Sequence, residues 1–421
     1  MPWVRVEGAT KVAIRVALAQ AEAEGADVHI PRGVYDIDLT DEPPDTVGGP
    51  AIDVPPGVRR IFGDGADETV LRFRRAPTAG YAQWSGLRIL GPICAIEDLT
   101  LEGPDEINGG VGEDAYTPDE ETRAITVASK AWDDPPGTLG GTELTLRRVQ
   151  TRGRWWQFLN GGQTVEVHGC DFAHYGTGLS GPGPQGSFSA YYTTFHGPEY
   201  CQAHVHGIYS NPDDTLHFEQ CRFLGSGAGY AIKHYGQSGQ VGSRGLTVLD
   251  CVFGPRVTHA ILGMRTVIRV EDTQFLHRCL AVPEAQRDIP RAIVAMNADV
   301  VARRCRFSNP GASVFPIDSE GCSVHLEECT WPADSHPYPL EPRGAGSSWT
   351  VRGCHLGTTR PKRLINADQT EDLDLRVEDT EFSGVELTVG VYAVRGRIAL
   401  RNIRAHAPVE LARIGGTARL V

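Results

Sequence analysis

One short alternating phrase recurs along most of this chain. Apolar residues fall at every second position, followed by a polar residue, a Cys, any residue, and an aromatic or Leu: VEVHGCDF, LHFEQCRF, LTVLDCVF, VVARRCRF, VHLEECTW and WTVRGCHL. Thr takes the place of Cys in IRVEDTQF and LRVEDTEF, and SAYYTTF is a looser copy. With the Cys or its substitute as marker, the positions are 149, 170, 193, 221, 251, 273, 305, 329, 354, 380 and 403, in steps of 21 to 32 residues. Period-two alternation marks a half-buried strand. Its repetition at this longer period marks a coil of stacked strands.

The pattern predicts an all-β fold, a single-stranded right-handed parallel β-helix (a solenoid) with an N-terminal helical cap. Each turn of the coil is a rung, inward positions stack into ladders, and Cys or Thr fits a tight corner before the Phe, Trp or Leu that fills the interior. Steps vary because insertions collect in loops while stacked strands keep register. A leucine-rich repeat would need a Leu-rich strand and an Asn ladder, and neither is present. The expected division is a cap over residues 1–60 and the β-helix over 61–421, with an acidic insertion at about 103–142. Thr10 to Glu24 reads as an amphipathic helix with Val12, Ile14, Leu18 and Ala21 on one side and Gly25 ending it. Such a helix covers the first rung, whose strand edges would otherwise template aggregation. At the other end the register continues through RIALRNIRAHAPVELARIGGTARLV. There a covering partner, and hence a homo-oligomer, or a returning loop is expected.

A helix, then G-x-x-V-x-I-P-x-G-x-Y, then I-x-G-D-G resembles the amino-terminal part of the pectate-lyase-like right-handed parallel β-helix superfamily. That group includes polysaccharide lyases, polygalacturonase-type hydrolases and phage tailspikes. The residues carrying the match are Gly25, Val28, Ile30, Pro31, Gly33, Tyr35, Ile61, Gly63, Asp64 and Gly65. The resemblance implies a carbohydrate-active β-helix protein, and it leaves the reaction open because one fold hosts many functions.

The formal net charge of −13 argues against a general nucleic-acid binder, which would present a basic stripe. A local basic groove is still compatible with acidic substrates. Six of the ten cysteines share one rung position and are expected as buried thiols rather than disulfides. No Cys or His spacing matches a zinc site, and no cofactor is assigned. Ca²⁺ stays open at the acidic loops holding Asp105, Glu106, Glu113, Asp114, Asp119, Glu120, Glu121, Asp133 and Asp134. MPWVRVEGATKVAIRVALAQ lacks a signal-peptide apolar core, and no stretch is long enough to span a membrane. The chain as given is expected in the cytoplasm, or secreted or virion-associated if a leader was removed or export is leaderless.

Leu179, Ile208, Ile232, Ile261 and Ile293 align as one inward ladder, so the next residues, Ser180, Tyr209, Lys233, Leu262 and Val294, point outward. Tyr235, Met264 and Met296 follow two positions on. The alignment makes Tyr209 and Lys233 neighbours, and HGPEYCQAHVHGIY brings His196, Glu199, His204 and His206 beside them. The candidate catalytic residues are Lys233, Tyr209, His206 and Arg265; the candidate substrate-binding residues are His204, Tyr235, Glu199 and His234, although strict alternation turns His234 inward. Trp155 and Trp156 suit core packing better than a sugar platform. A second column, from Arg147 and His168 to Glu327, Arg352 and Glu378, mixes charge and suits cross-strand pairing.

Elimination from a polyuronide needs a base, a cation on the carboxylate and an acid for the leaving oxygen. A Lys lowered beside other cations suits the base. The resemblance implies that role for Lys233, with Arg265 as carboxylate partner or acid and Tyr209 or His206 assisting. An inverting hydrolase needs paired carboxylates, and Asp213 and Asp214 are expected in a solvent-facing turn. The expected function is a polysaccharide lyase on an acidic, uronate-containing glycan. The alternatives are a hydrolase of the same fold, a tailspike-like glycan binder, and an enzyme on a small intracellular metabolite.

Overall fold

The structure is a computed structural model. It describes residues 2–42, 51–74, 82–103, 120–127, 142–153, 155–181, 186–197, 206–210, 214–226, 229–235, 245–276, 291–308, 314–316, 322–332, 340–357, 363–385, 388–406 and 409–421. They form two compact units, Met1–Thr215 and Leu216–Val421. Each is a parallel β-helix.

In the first unit three columns of parallel strands run side by side. One stacks Trp3–Arg5, Asp27–His29, Arg60–Phe62, Ile93–Glu102, Glu143–Arg152, Thr164–His168 and Ser187–Tyr191. The next contains Gly33–Asp38, Thr69–Arg74, Asp171–Ala173 and Thr194–His196; Ile93–Glu102 and Glu143–Arg152 are long enough to run through the corner into it. The third stacks Ile52–Val54, Ala82–Ile89, Glu120–Val127, Gln157–Asn160, Leu179–Ser180 and Ile208–Tyr209. The strand expected from RAITVASK is Glu120–Val127; the loops around it, with most of the acidic residues, lie outside the described residues.

The second unit repeats the plan. Gly245–Leu249, Val267–Glu271, Asp299–Arg303, Ser323–Glu327, Ser348–Arg352, Asp374–Glu378 and Arg397–Arg401 pair in series. The third column holds Tyr230–Tyr235, His259–Met264, Arg291–Met296 and Val314–Pro316, then Arg363–Ala367, Thr388–Ala393 and Val409–Ile414. Its last strand leaves Leu411 43% exposed, and Arg419–Leu420, paired with Arg397–Arg401, leaves Leu420 58% exposed.

The corner explains the recurrent phrase. The residue before each marker adopts a left-handed backbone: φ is 50° at Arg148, 53° at Gln220, 48° at Asp250, 52° at Asp272, 51° at Arg304, 55° at Glu328 and 49° at Asp379. That conformation costs about 1–2 kcal/mol in an L-residue. The marker side chain offsets it with a hydrogen bond to the carbonyl two residues back. Cys251 Sγ donates to Leu249 O at 3.2 Å and Thr273 Oγ1 to Glu271 O at 2.9 Å. The same atom accepts the marker N–H of the preceding rung: Cys221 N to Cys251 Sγ (3.4 Å), Cys251 N to Thr273 Oγ1 (3.3 Å), Cys170 N to Thr193 Oγ1 (3.3 Å). Thr replaces Cys because both donate and accept from one small atom. The loose copy at Thr193 behaves identically, donating to Tyr191 O at 2.9 Å. The eight described cysteines are buried free thiols, and burial pushes Cys94 and Cys170 up to about 12.

Inside the second unit the rings after the markers stack: Phe223 on Phe253, Phe253 on Phe275, Phe275 on Phe307 and Phe307 on Trp331, with centroids 4.4 to 5.0 Å apart. Outside, charges pair across rungs as expected, for example Arg303 with Glu327 at 3.1 Å and Arg304 with Asp272 at 2.7 Å.

The cap helix is Lys11–Glu24, N-capped by Thr10 and closed by Gly25 in the left-handed region. Its buried stripe is Ile14, Ala17, Leu18 and Ala21. Val12 is 65% exposed, which corrects its expected place: at 100° per residue it lies about 200° from Ile14. The motif that carries the family resemblance is structural. Asp64 accepts the Arg32 N–H at 2.7 Å and meets His29 at 2.8 Å, while Val28 pairs with Ile61.

Candidate functional site

The third column of the first unit presents a continuous outward strip. Its inward ladder is Leu87, Ile125, Leu159, Leu179 and Ile208, all at most 1% exposed. The neighbouring outward positions pair rung to rung as Asp53, Arg88, Thr126, Asn160, Ser180 and Tyr209. Arg88 clasps Asp53 with two hydrogen bonds, at 2.6 and 2.9 Å. Beside Ser180 lies a polar relay that sequence reasoning missed. Arg123 Nε donates to Gln157 Oε1 (3.1 Å), and Gln157 Nε2 donates to Ser180 Oγ (2.7 Å). Thr126 shares a 2.7 Å hydrogen bond with Ser85.

At the end of this strip the rings of His206 and Tyr209 stack, centroids 5.7 Å apart and 28° from parallel. Both are half-buried. Glu199 and His204 lie outside the described residues. Asp214 is fully buried and accepts the Gly186 N–H at 3.2 Å. For Asp214 this corrects the expectation of a solvent-facing turn, since a backbone N–H at the start of a strand draws the carboxylate in; Asp213 lies outside the described residues. Trp155 and Trp156 are buried, as their packing reading requires.

Lys233, His234, Tyr235 and Arg265 belong to the second unit. Lys233 is outward and half-buried, and pairs in register with Leu262. His234 is 1% exposed, as alternation requires. Tyr235 ends its strand, opposite Met264. Arg265 is exposed and sits on a corner, with φ 54° and its N–H on Met296 O at 2.8 Å. Leu262 and Val294, although outward by alternation, are only 7% and 0% exposed, with Tyr230, Met264 and Met296 packed against them. The outward surface near Lys233 is therefore largely apolar, while the strip ending at Tyr209 is polar. Among the described residues, no group of three or more His, Cys, Asp or Glu is placed to hold a metal ion.

His174 is buried beside Phe158, at 5.9 Å between ring centroids. Its Nδ1 meets Gly176 O at 2.8 Å, and its ring leaves no room for a side chain at Gly178, whose N–H bonds His206 O at 3.2 Å. Burial pushes the His174 imidazole down from 6.5 to about 4. A folded value below the unfolded one means the unfolded chain takes up the proton first. The stability is full above about pH 6.5 and is lost as pH falls toward 4. The loss is about 3 kcal/mol. Urea unfolding at pH 7 and pH 4 should show it, and His174→Gln should remove that part of the slope; an unchanged slope would contradict it.

No family model matches the chain, and no curated protein matches it. Among solved structures it is similar to the A-module of mannuronan C-5 epimerase AlgE4 from Azotobacter vinelandii, at 13% identity over 98% of this chain and 95% of that one, TM-score 0.38. It is also similar to PfbA, a surface adhesin of Streptococcus pneumoniae, at 9% identity over 97% and 93%, TM-score 0.40. A third likeness is to the catalytic unit of the GH87 α-1,3-glucanase of Streptomyces thermodiastaticus, at 14% identity over 100% and 68%, TM-score 0.32. These are remote likenesses; the parallel β-helix rests on the chain's own strand register.

Proposed function

We propose that the outward strip of the first unit holds an acidic glycan and that the protein cleaves it by β-elimination. The observation that carries this reading is the strip itself: Arg88, Thr126, Asn160, Ser180 and Tyr209 on successive rungs, with Arg123 and Gln157 relayed into Ser180. Rungs about 4.8 Å apart give a linear polymer a repeating set of hydroxyl, amide and phenol partners. Of the guanidinium groups here, Arg123 is only 7% exposed and is bonded to Gln157, while Arg88 is held by Asp53. A glycan carboxylate would therefore exchange with Asp53 for Arg88, whose fork matches carboxylate geometry. The stacked His206 and Tyr209 provide groups able to take and return a proton, the step elimination needs.

Elimination is preferred to hydrolysis because inversion needs two carboxylates flanking the bond. Asp53, the one described carboxylate of the strip, is clasped by Arg88, and Asp214 is buried. The test is a panel of uronate polymers followed by ultraviolet absorbance. An unsaturated product is expected. New reducing ends without absorbance would replace elimination by hydrolysis, and binding with neither product would leave a glycan-holding protein.

A further inference from the structure

A second chemical set lies in the second unit, on the outer face formed by His355–Gly357, Glu381–Ser383 and Arg404–Ala405. Leu356 and Phe382 point inward, each 0% exposed, so His355, Glu381 and Ser383 share the outer face. His355 pairs in register with Glu381, and Gly357 pairs with Ser383. Since Gly357 has no side chain, the His355 ring can reach diagonally to Ser383. Ser383 Oγ is 3.2 Å from His355 Nε2, and His355 Nδ1 is 3.2 Å from Glu381 Oε2. The other Glu381 oxygen is held by His406 Nε2.

We propose that Ser383, His355 and Glu381 form a nucleophile, base and orienting carboxylate for the hydrolysis of small acyl esters. The roles follow from the order of contacts. Glu381 accepts from Nδ1 and so keeps the imidazole proton there. That leaves Nε2 to accept the Ser383 hydroxyl proton. Hydrogen bonds from His406 and then His355 hold the Glu381 carboxyl below its usual range, so it stays an anion and stabilises the imidazolium. In the first step Ser383 Oγ bonds to the ester carbonyl carbon while its proton passes to Nε2. The alkoxy group then leaves with that proton, giving acyl-Ser383 and the alcohol. Water, deprotonated by Nε2, attacks the acyl carbon; the acid leaves and Ser383 recovers its proton.

The chain supplies its own control. Ser323 Oγ lies 3.1 Å from His325 Nε2, the same serine–imidazole contact with no orienting carboxylate among the described residues. The experiment treats the whole protein with a fluorophosphonate, whose phosphorus bonds to an activated serine as fluoride leaves, and maps the label by mass spectrometry. Turnover of p-nitrophenyl acetate is followed in parallel. Label is expected on Ser383 at least about 100-fold faster than on Ser323, the scale of positioned base catalysis. Ser383→Ala should abolish ester turnover, and His355→Ala and the isosteric Glu381→Gln should each slow labelling at least tenfold. Equal labelling of Ser323 and Ser383, or labelling of Ser383 unaffected by His355→Ala, would overturn the assignment. All three side chains are on the outer face, so circular dichroism of the variants should match the parent.

Discussion

Trp155→Ala should destabilise the first unit by about 3–5 kcal/mol, the range for emptying a buried Trp site. The indole is 0% exposed and packs against Phe73 at 5.8 Å and Trp84 at 5.5 Å between centroids. Its Nε1 donates to Leu101 O at 3.0 Å, so truncation also strands a buried carbonyl. The backbone closes tightly around the ring. A Cβ built on Gly103 would stand 2.8 Å from it, and one on Gly86 3.2 Å. These segments are tied into parallel strands and cannot collapse into the vacated space, which places the cost toward the upper end. Urea unfolding followed by circular dichroism measures it. A variant that unfolds like the parent but loses glycan binding would show that the indole works as a sugar platform instead.

The repeat was legible because its chemistry is carried by single side chains in sequence: the Cys or Thr that bridges a corner, and the ring that follows it. The left-handed residue before the marker was legible only in part: Gly169, Asp250, Asp272, Gly353, Asp379 and Asn402 are types that favour that conformation, whereas Arg148, Gln220, Arg304 and Glu328 are not. Strand alternation alone correctly turned His234 inward and Tyr209 outward. It failed where the backbone is irregular. Phe158 and Leu159 are both buried, with both N–H groups directed at Gly178 O, at 2.9 and 3.2 Å. That break in alternation brings Gln157 to Ser180 and Arg123 to Gln157, so the relay could not be counted out from the ladder beginning at Leu179. Alignment of ETRAITV with WWQFLNG would have supplied the missing rungs. Leu262 and Val294 illustrate another limit: alternation gives a direction, but burial depends on what packs over it, here Tyr230, Met264 and Met296.

Tyr209→Phe should lower turnover of the acidic glycan by about 100-fold while leaving stability within about 1 kcal/mol of the parent. The substitution keeps the ring that stacks on His206 and the outward strand position opposite Ser180, and removes only the hydroxyl. A group that moves a proton in the transition state is lost from kcat, whereas one that merely holds the sugar raises KM. The expected result is a fall in kcat with KM little changed. His206→Ala should produce a similar fall, with some loss of stability because the ring stacked on Tyr209 is removed. Full activity in Tyr209→Phe and His206→Ala would remove both from the reaction.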